Sequence, residues 1–375
     1  MNPGDNKLVV LAAGGTGGHV FPAEALAAEL IGRDCRLALI TDRRGDAYGG
    51  TLGDIETHRV RAGGIAGKSL AALLRSGPEL AFGTWQARTL LKRMRPNAVV
   101  GFGGYASVPT MLAATFGGFN TAIHEQNAVL GRANRLLASR VMRIATSFDE
   151  VRSLPAEAMA KVVHTGMPVR SSVTACRDVP YPALDSTSPI RILVLGGSQG
   201  ATVLSDIVPG ALGRLGDELR RRLHVTQQCR AEDLDRVKNV YGRLGIEADL
   251  DNFFADVPER LARAHLLIGR AGASTVAEAT TIGRPAILVP YPHATDNHQS
   301  YNAHALDDAG GGWLMSQEIF TEEALAARLE SLFTVPQLLT KAASCARNSG
   351  SPDAAIRLAD TVFELLGHNG ERRAA

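Results

Sequence analysis

An apolar run that breaks into glycines at the start of a helix occurs twice in this chain. The first is L-V-V-L-A-A-G-G-T-G-G-H-V-F-P over Leu8–Pro22, leading into the alanine-rich stretch Ala23–Leu30. The second is Ile190–Leu195, followed by G-G-S-Q-G-A at 196–201 and another helical stretch. Few folds accommodate that pattern. A short β-branched run bounded by glycine is the signature of a strand buried on both faces of a parallel sheet. A glycine turn between strand and helix lets a ligand approach the backbone. The free N–H groups of the helix start then point at an anion such as a diphosphate. Two such units about one domain length apart predict an α/β chain with two Rossmann-like domains facing across a cleft.

The elements between them agree. In the first half, strands are predicted at Leu37–Thr41, Thr57–Arg61, Ala98–Phe102, Thr121–Ile123 and Arg140–Thr146, with a helix over Pro78–Met94. The second half predicts strands at Leu223–Gln227, Asn252–Phe254, His265–Gly269 and Ala286–Val289. Its helices are predicted at Ala231–Leu244, Val257–Arg263, Ser274–Ile282, Asn302–Ala309 and Glu322–Leu332. The proline-rich Cys176–Pro189 reads as a linker. The domains are therefore drawn at 1–170 and 171–350, with a last helix within 351–375 packing back on the first.

A chain of 375 residues exceeds one small core, and its formal charge of +2 argues against nucleic acid as a partner. Four scattered cysteines without a C-x-x-C exclude a zinc site and a disulfide framework, and fit a reducing compartment. The start lacks the charged and apolar regions of a signal peptide, and no apolar run is long enough to span a bilayer.

Polar residues gather where strands end. His19 closes the first glycine loop, and its ring titrates near neutral pH, so it is a candidate to take a proton from a hydroxyl held beside phosphates. The alternative is a structural histidine at a helix start. Glu125 and His124, at the end of the Thr121–Ile123 strand, compete for the same role. In the second half, G-R-A-G-A-S-T-V-A-E at 269–278 ends a strand and opens a helix. Ser274 is predicted to cap that helix, whose N–H groups would hold phosphate. Glu278 lies one turn on, suited to both hydroxyls of a ribose. The alternative is a capping arrangement alone. Asp296-Asn297-His298-Gln299 carries amide and carboxylate groups suited to sugar hydroxyls, or is a polar surface turn. Two Asp-x-Asp triplets, Asp233–Asp235 and Asp249–Asp251, read as solvated surface, so no metal or other cofactor is expected.

Taken together, G-G-T-G-G-H-V-F-P at 14–22, G-F-G-G-Y at 101–105, H-E-Q-N at 124–127, G-M-P-V-R at 166–170, G-G-S-Q-G-A at 196–201, G-R-A-G-A-S-T-V-A-E at 269–278 and D-N-H-Q at 296–299 resemble the MurG family of GT-B glycosyltransferases. The resemblance implies inverting transfer of GlcNAc from UDP-GlcNAc to the 4-hydroxyl of MurNAc in lipid I, giving lipid II at the cytoplasmic face of the bacterial inner membrane. It places Thr16, Gly17 and Gly18 near the diphosphates and Tyr105 in the acceptor loop. It gives Asn127 the donor sugar, Arg170 the pyrophosphate, and Ser198 the phosphate or ribose side. Phe254 would flank the uracil through its backbone. Ala273, Ser274, Thr275, Val276, Ala277 and Glu278 would hold phosphate and ribose, and Gln299 the sugar hydroxyls. Lipid I and other cell-wall synthesis proteins are the partners it admits. The rival readings are a UDP-GlcNAc 2-epimerase, a glycolipid synthase, or a UDP-sugar-binding membrane protein without turnover.

Helical geometry singles out a second surface. At about 100° per residue, Leu80, Thr84, Ala87, Leu91 and Met94 share one stripe suited to packing. Phe82 and Trp85 fall opposite, together with Lys92 and Arg93. Aromatic rings beside cations suit an anionic membrane surface, with Lys68 and Arg75 widening the basic rim. The alternative is that a neighbouring loop covers both rings.

Overall fold

The structure, a computed structural model, describes residues 7–15, 17–42, 50–62, 70–197 and 200–367, and of residues 70–76 the backbone alone. Thr16, Ser198 and Lys68, and the side chain of Arg75, lie outside the described residues. The chain forms two compact units: one runs to Arg170 and resumes at Asp353, the other is Ser171–Pro352.

The first unit is built on seven parallel strands: β1 Leu8–Ala12, β2 Arg36–Thr41, β3 Glu56–Arg59, β4 Ala98–Gly101, β5 Thr121–Glu125, β6 Arg143–Thr146 and β7 Val162–His164. Their spatial order is β3-β2-β1-β4-β5-β6-β7. Val10 of β1 faces Ala38 on one side and Val99 on the other. Side chains alternate across the sheet, which divides the core in two. Val9 and Leu11 join Leu26 and Leu30 of the opening helix Gly17–Gly32. Val10 and Ala12 join Ala87, Leu91 and Met111 on the other face. A terminal helix, Ala354–Gly367, adds Leu358, Val362 and Leu365 to the first of these clusters. Asn120 Nδ2 donates to Leu365 O at 2.6 Å, and Arg33 bonds Asp360 at 2.6 Å.

Six parallel strands make the second sheet: β8 Ile190–Leu195, β9 Leu223–Gln228, β10 Glu247–Asp251, β11 Leu266–Gly269, β12 Ala286–Leu288 and β13 Gly312–Leu314. They are ordered β10-β9-β8-β11-β12-β13. Both units therefore follow the doubly wound order, with a topological switch between β1 and β4 and between β8 and β11. Ligands of such sheets bind outside the carboxyl ends of the strands at that point.

Several expectations are corrected. The strand predicted at Asn252–Phe254 is instead Glu247–Asp251. The Asp251 carboxylate turns back to accept from Asn252 N at 2.6 Å, which ends the strand. The helix predicted from Pro78 begins at Leu70 and carries Pro78 inside it. The helix predicted from Asn302 begins at His298. Segment 176–189 is no free linker. Tyr181 Oη donates to His265 O at 2.8 Å, and the buried Arg284 guanidinium donates to Val179 O and Pro180 O at 3.1 Å each.

Candidate functional site

At the first switch point the loops after β1 and β4 meet. His19 is the third residue of the opening helix, so its ring stands beside the Gly14–Gly18 turn. Gly103 and Gly104 take φ of +74° and +68°, a region that favours glycine, before the helix Gly104–Phe116 begins. A Cβ on Gly104 would lie 3.2 Å from His19 Cδ2, so the bare backbone is what lets the imidazole sit there. Tyr105 follows, half-exposed.

Behind the ring lies a buried polar chain. His19 Nδ1 is 3.2 Å from Gln126 Oε1. Gln126 Nε2 lies 2.9 Å from Phe102 O, 3.2 Å from His124 O and 3.1 Å from His124 Nδ1. His124 Nε2 is 3.3 Å from Gly166 O. Burial pushes the His124 pKa down to about 4, partly offset by the carbonyl of Gly166 and reinforced by His19.

The geometry separates the three candidate bases. His124 and Glu125 are 0% and 1% exposed. The Glu125 carboxylate is filled by its own loop: Oε1 accepts from Asn127 N at 3.0 Å and Asn127 Nδ2 at 3.3 Å, and Oε2 accepts from Gly131 N and Asn134 Nδ2 at 2.8 Å each. Neither residue offers an atom to a hydroxyl arriving from solvent. That corrects the expectation that they compete with His19. They order the loop that carries Asn127. Arg170 lies over the Phe21 ring at 4.2 Å, two residues beyond His19 on the same helix. Phe21 and Gln126 are the residues that the sequence reading passed over here. For Gln126 the signal was available, because strand alternation puts it on the same side as His124.

At the second switch point, β11 ends at Gly269 and the helix Ala273–Ile282 begins. Its N-cap is Gly272, not Ser274. The reason is that helical geometry starts two residues earlier than a Ser274 cap would require, which leaves Ser274 inside the first turn. Its Oγ is buried and makes no hydrogen bond among the described residues. Thr275, Val276 and Ala277 continue the turn, and Glu278 lies one turn beyond Ser274. Arg270 crosses beneath, donating to Val289 O at 3.2 Å, Pro290 O at 3.1 Å and Gln317 Oε1 at 2.8 Å. Burial lowers the pKa of that guanidinium. Asp296 and Asn297 take φ of +53° each, and Gln299 falls in the first turn of the helix His298–Asp308. Gln299 Oε1 accepts from Tyr291 N at 2.9 Å. Phe254 is nearly buried under Arg260, whose guanidinium lies 4.2 Å from the ring centre.

Of the Asp-x-Asp triplets, Asp249–Asp251 is exposed at both aspartates and Asp235 is exposed, whereas Asp233 departs from the expected solvated surface. Asp233 is buried and bonds Arg236 at 2.7 Å, and Asp249 pairs with Arg260. Among the described residues no group of three or more His, Cys, Asp or Glu could hold a metal ion.

On the helix Leu70–Met94, Ala87 and Leu91 are buried as the stripe requires. Phe82 is 42% exposed and Trp85 is 62% exposed, their ring centres 5.7 Å apart, and Lys92 and Arg93 are exposed. Neither ring is buried by a described loop, although one loop residue lies against Phe82. Arg61 lies over Phe82 at 5.1 Å, its backbone brought close by Gly83, where a Cβ would strike Arg61 O. Phe116, exposed at the end of its helix with Arg140 at 5.9 Å, is a further surface aromatic that the sequence reading did not select. No described helix is long and apolar enough to cross a membrane.

Two Rossmann-type units, each with an anion-receptive loop at its switch point, are the architecture of GT-B glycosyltransferases. Residues 9–146 match the glycosyltransferase family 28 N-terminal domain, and residues 191–358 match the family 28 C-terminal domain. The chain is 63% identical over 359 residues to the UDP-N-acetylglucosamine–N-acetylmuramyl-(pentapeptide) pyrophosphoryl-undecaprenol N-acetylglucosamine transferase of Paramagnetospirillum magneticum, covering 96% of this chain and 97% of that one. A transferase of the same description from Rhodospirillum rubrum is 57% identical over 364 residues, 96% of this chain and 92% of that one. The crystal structure of Acinetobacter baumannii MurG superposes with a TM-score of 0.76 at 30% identity, over 96% of this chain and 99% of that one. The chain belongs to glycosyltransferase family 28, in its MurG branch.

Proposed function

We propose that this chain transfers GlcNAc from UDP-GlcNAc to the 4-hydroxyl of MurNAc in lipid I, forming lipid II for peptidoglycan synthesis. The observation that carries this reading is the 63% identity, across nearly the full length of both chains, to a transferase of that description. The acceptor oxygen attacks C1 of the α-linked sugar, the bond from C1 to the phosphate oxygen breaks, and UDP leaves with the electron pair. One displacement inverts the centre to β, so no covalent enzyme intermediate is needed. The hydroxyl proton passes to His19, the candidate whose ring is not enclosed by the fold. Helix-start N–H groups and Arg170 offset the charge on departing UDP.

Glu278 is assigned the ribose hydroxyls and Phe254 the uracil edge. The helix start at 273–277 takes phosphate, with the unpartnered Ser274 hydroxyl in support. Asn127 and Gln299 are assigned the sugar hydroxyls, and Tyr105 the acceptor. Thr16, Gly17, Gly18 and Ser198 keep the phosphate roles that the resemblance implies. The scheme uses no metal, and turnover in EDTA tests that: retained turnover is expected, and its loss on chelation overturns it. Phe82, Trp85, Lys92 and Arg93 form the proposed docking face for anionic lipid on the cytoplasmic side. The lipid tail of the acceptor stays in the membrane, so the enzyme must come to it. Incubation with lipid I and labelled UDP-GlcNAc tests the whole reading: label in the lipid fraction supports it, and donor binding without transfer overturns it.

A further inference from the structure

The chain of contacts behind His19 has a direction. Gln126 Nε2 lies within hydrogen-bonding distance of two backbone carbonyls, Phe102 O at 2.9 Å and His124 O at 3.2 Å. Carbonyl oxygens only accept, so the atom facing them must be the NH2 of the amide. Turning the amide over would set its oxygen against both. The amide oxygen therefore faces His19, and it too can only accept. His19 must then carry a proton on Nδ1, 3.2 Å away, and the neutral ring keeps its lone pair on Nε2. The NH2 has two hydrogens among three acceptors and cannot itself accept, so His124 Nδ1 at 3.1 Å is left bare beside it and the His124 proton lies on Nε2, 3.3 Å from Gly166 O. Each link is fixed by the one behind it, and the last is a backbone carbonyl that cannot reverse.

We infer that Gln126 is a positioning residue for the transfer reaction: it fixes His19 as the Nδ1–H tautomer and so presents Nε2 to the acceptor hydroxyl. This rests on the reading of His19 as the base. Nε2 makes no hydrogen bond among the described residues and stands at Gly104, beside the glycine turn. The proton it accepts leaves the hydroxyl as the oxygen bonds to C1, and the imidazole becomes an imidazolium with Nδ1–H still on the amide. An amide orients the ring without a negative charge. A carboxylate in its place would hold the imidazolium more tightly and keep the base protonated to higher pH. The titratable and charged groups around the ring are His124 behind Gln126, Glu125 at the end of β5, Tyr105 after Gly104, Asp42 beyond Gly14 and Arg170 over Phe21. A pH profile must be read with these in mind.

The test uses the full-length enzyme labelled with 15N-histidine, with His19 assigned from the His19→Gln spectrum. At pH 8 the expected spectrum shows a protonated Nδ1 and a bare Nε2. In Gln126→Ala the proton moves to a mixture of the two nitrogens. Turnover falls about 10- to 100-fold, while KM for UDP-GlcNAc stays within about twofold. A wild-type ring protonated on Nε2, or an Nδ1–H signal unchanged in Gln126→Ala, overturns the inference. Loss of turnover in Gln126→Ala with KM for UDP-GlcNAc raised in step also overturns it, since a merely structural role predicts that result. Undiminished turnover in His19→Ala overturns the base reading alone, and the spectrum still decides the tautomer.

Discussion

The two switch points share a strand order and differ in what lies beneath them. Under the first is a neutral relay, His19–Gln126–His124, sealed from water except at its outer ring. Under the second is Arg270, a fixed cation tied to two carbonyls and an amide, with a helix start and a carboxylate above it. One end is built around two imidazoles joined through an amide. The other is built around groups whose charge does not change. The same α/β architecture thus carries a buried side-chain relay in one unit and a buried guanidinium in the other, and the loops that make the difference lie at equivalent places.

The comparison breaks most readily at His19. His19→Ala is expected to lower turnover by about 10²- to 10⁴-fold with UDP affinity little changed. Steady-state kinetics beside calorimetry checks it, and lost UDP affinity at full turnover would reverse the roles of the two ends. The relay makes a second prediction, in stability. His124 is held neutral in the folded chain down to about pH 4, whereas the unfolded chain binds that proton near pH 6.5. Its contribution is whole above pH 6.5 and is lost as pH falls through 6.5 toward 4, by roughly 2–3 kcal/mol. Urea melts at pH 7 and 4.5 should show that loss in the wild type and a flatter dependence in His124→Gln. At the other end, Glu278→Ala should weaken UDP and UDP-GlcNAc alike by about 1–3 kcal/mol, the cost of a hydrogen bond to a charged group. Unchanged UDP affinity by calorimetry removes the ribose role. Gln299→Ala should sharpen the same picture by sparing UDP and weakening only UDP-GlcNAc, by about 1 kcal/mol. The smallest effect is at the surface. Phe82→Ser with Trp85→Ser should reduce co-sedimentation with anionic vesicles several-fold and leave UDP affinity intact. Unaffected co-sedimentation removes that face from docking.

The fold was legible because parallel strands buried on both faces read as unbroken apolar runs. Ile190–Leu195 and Leu8–Ala12 are bounded by glycine, and both ends can be seen. β10, with the sequence E-A-D-L-D, is a half-exposed edge strand whose polar alternate positions hid it. β7 and β13 are three residues each, too short for any period to register. In the site, His19 and Glu278 stood out because a titratable group beside a glycine turn is rare. Ser274 was misread as a cap, because Gly272 can take the N-cap conformation without contributing a side chain. Gln126 was quoted within H-E-Q-N and given no role. Strand alternation put it on the side of His124, but its contacts with Phe102 O and His124 O belong to backbone geometry that no motif encodes. Glu125 looked catalytic because it is acidic, yet its four acceptor bonds are all spent on its own loop.

The terminal helix carries a consequence for how the chain comes to be folded. Leu358, Val362 and Leu365 complete a cluster whose other members include Val9, Leu11 and Leu26. The second unit is continuous in sequence and has all its residues in hand once Pro352 is made. The first lacks part of its core until the helix Ala354–Gly367 has followed. During synthesis it is the earlier domain that must wait, with an apolar sheet face open, while the later one can close. Truncation or an insertion within Ala354–Gly367 therefore damages the unit that holds His19, more than three hundred residues upstream, and leaves the second unit with its core intact.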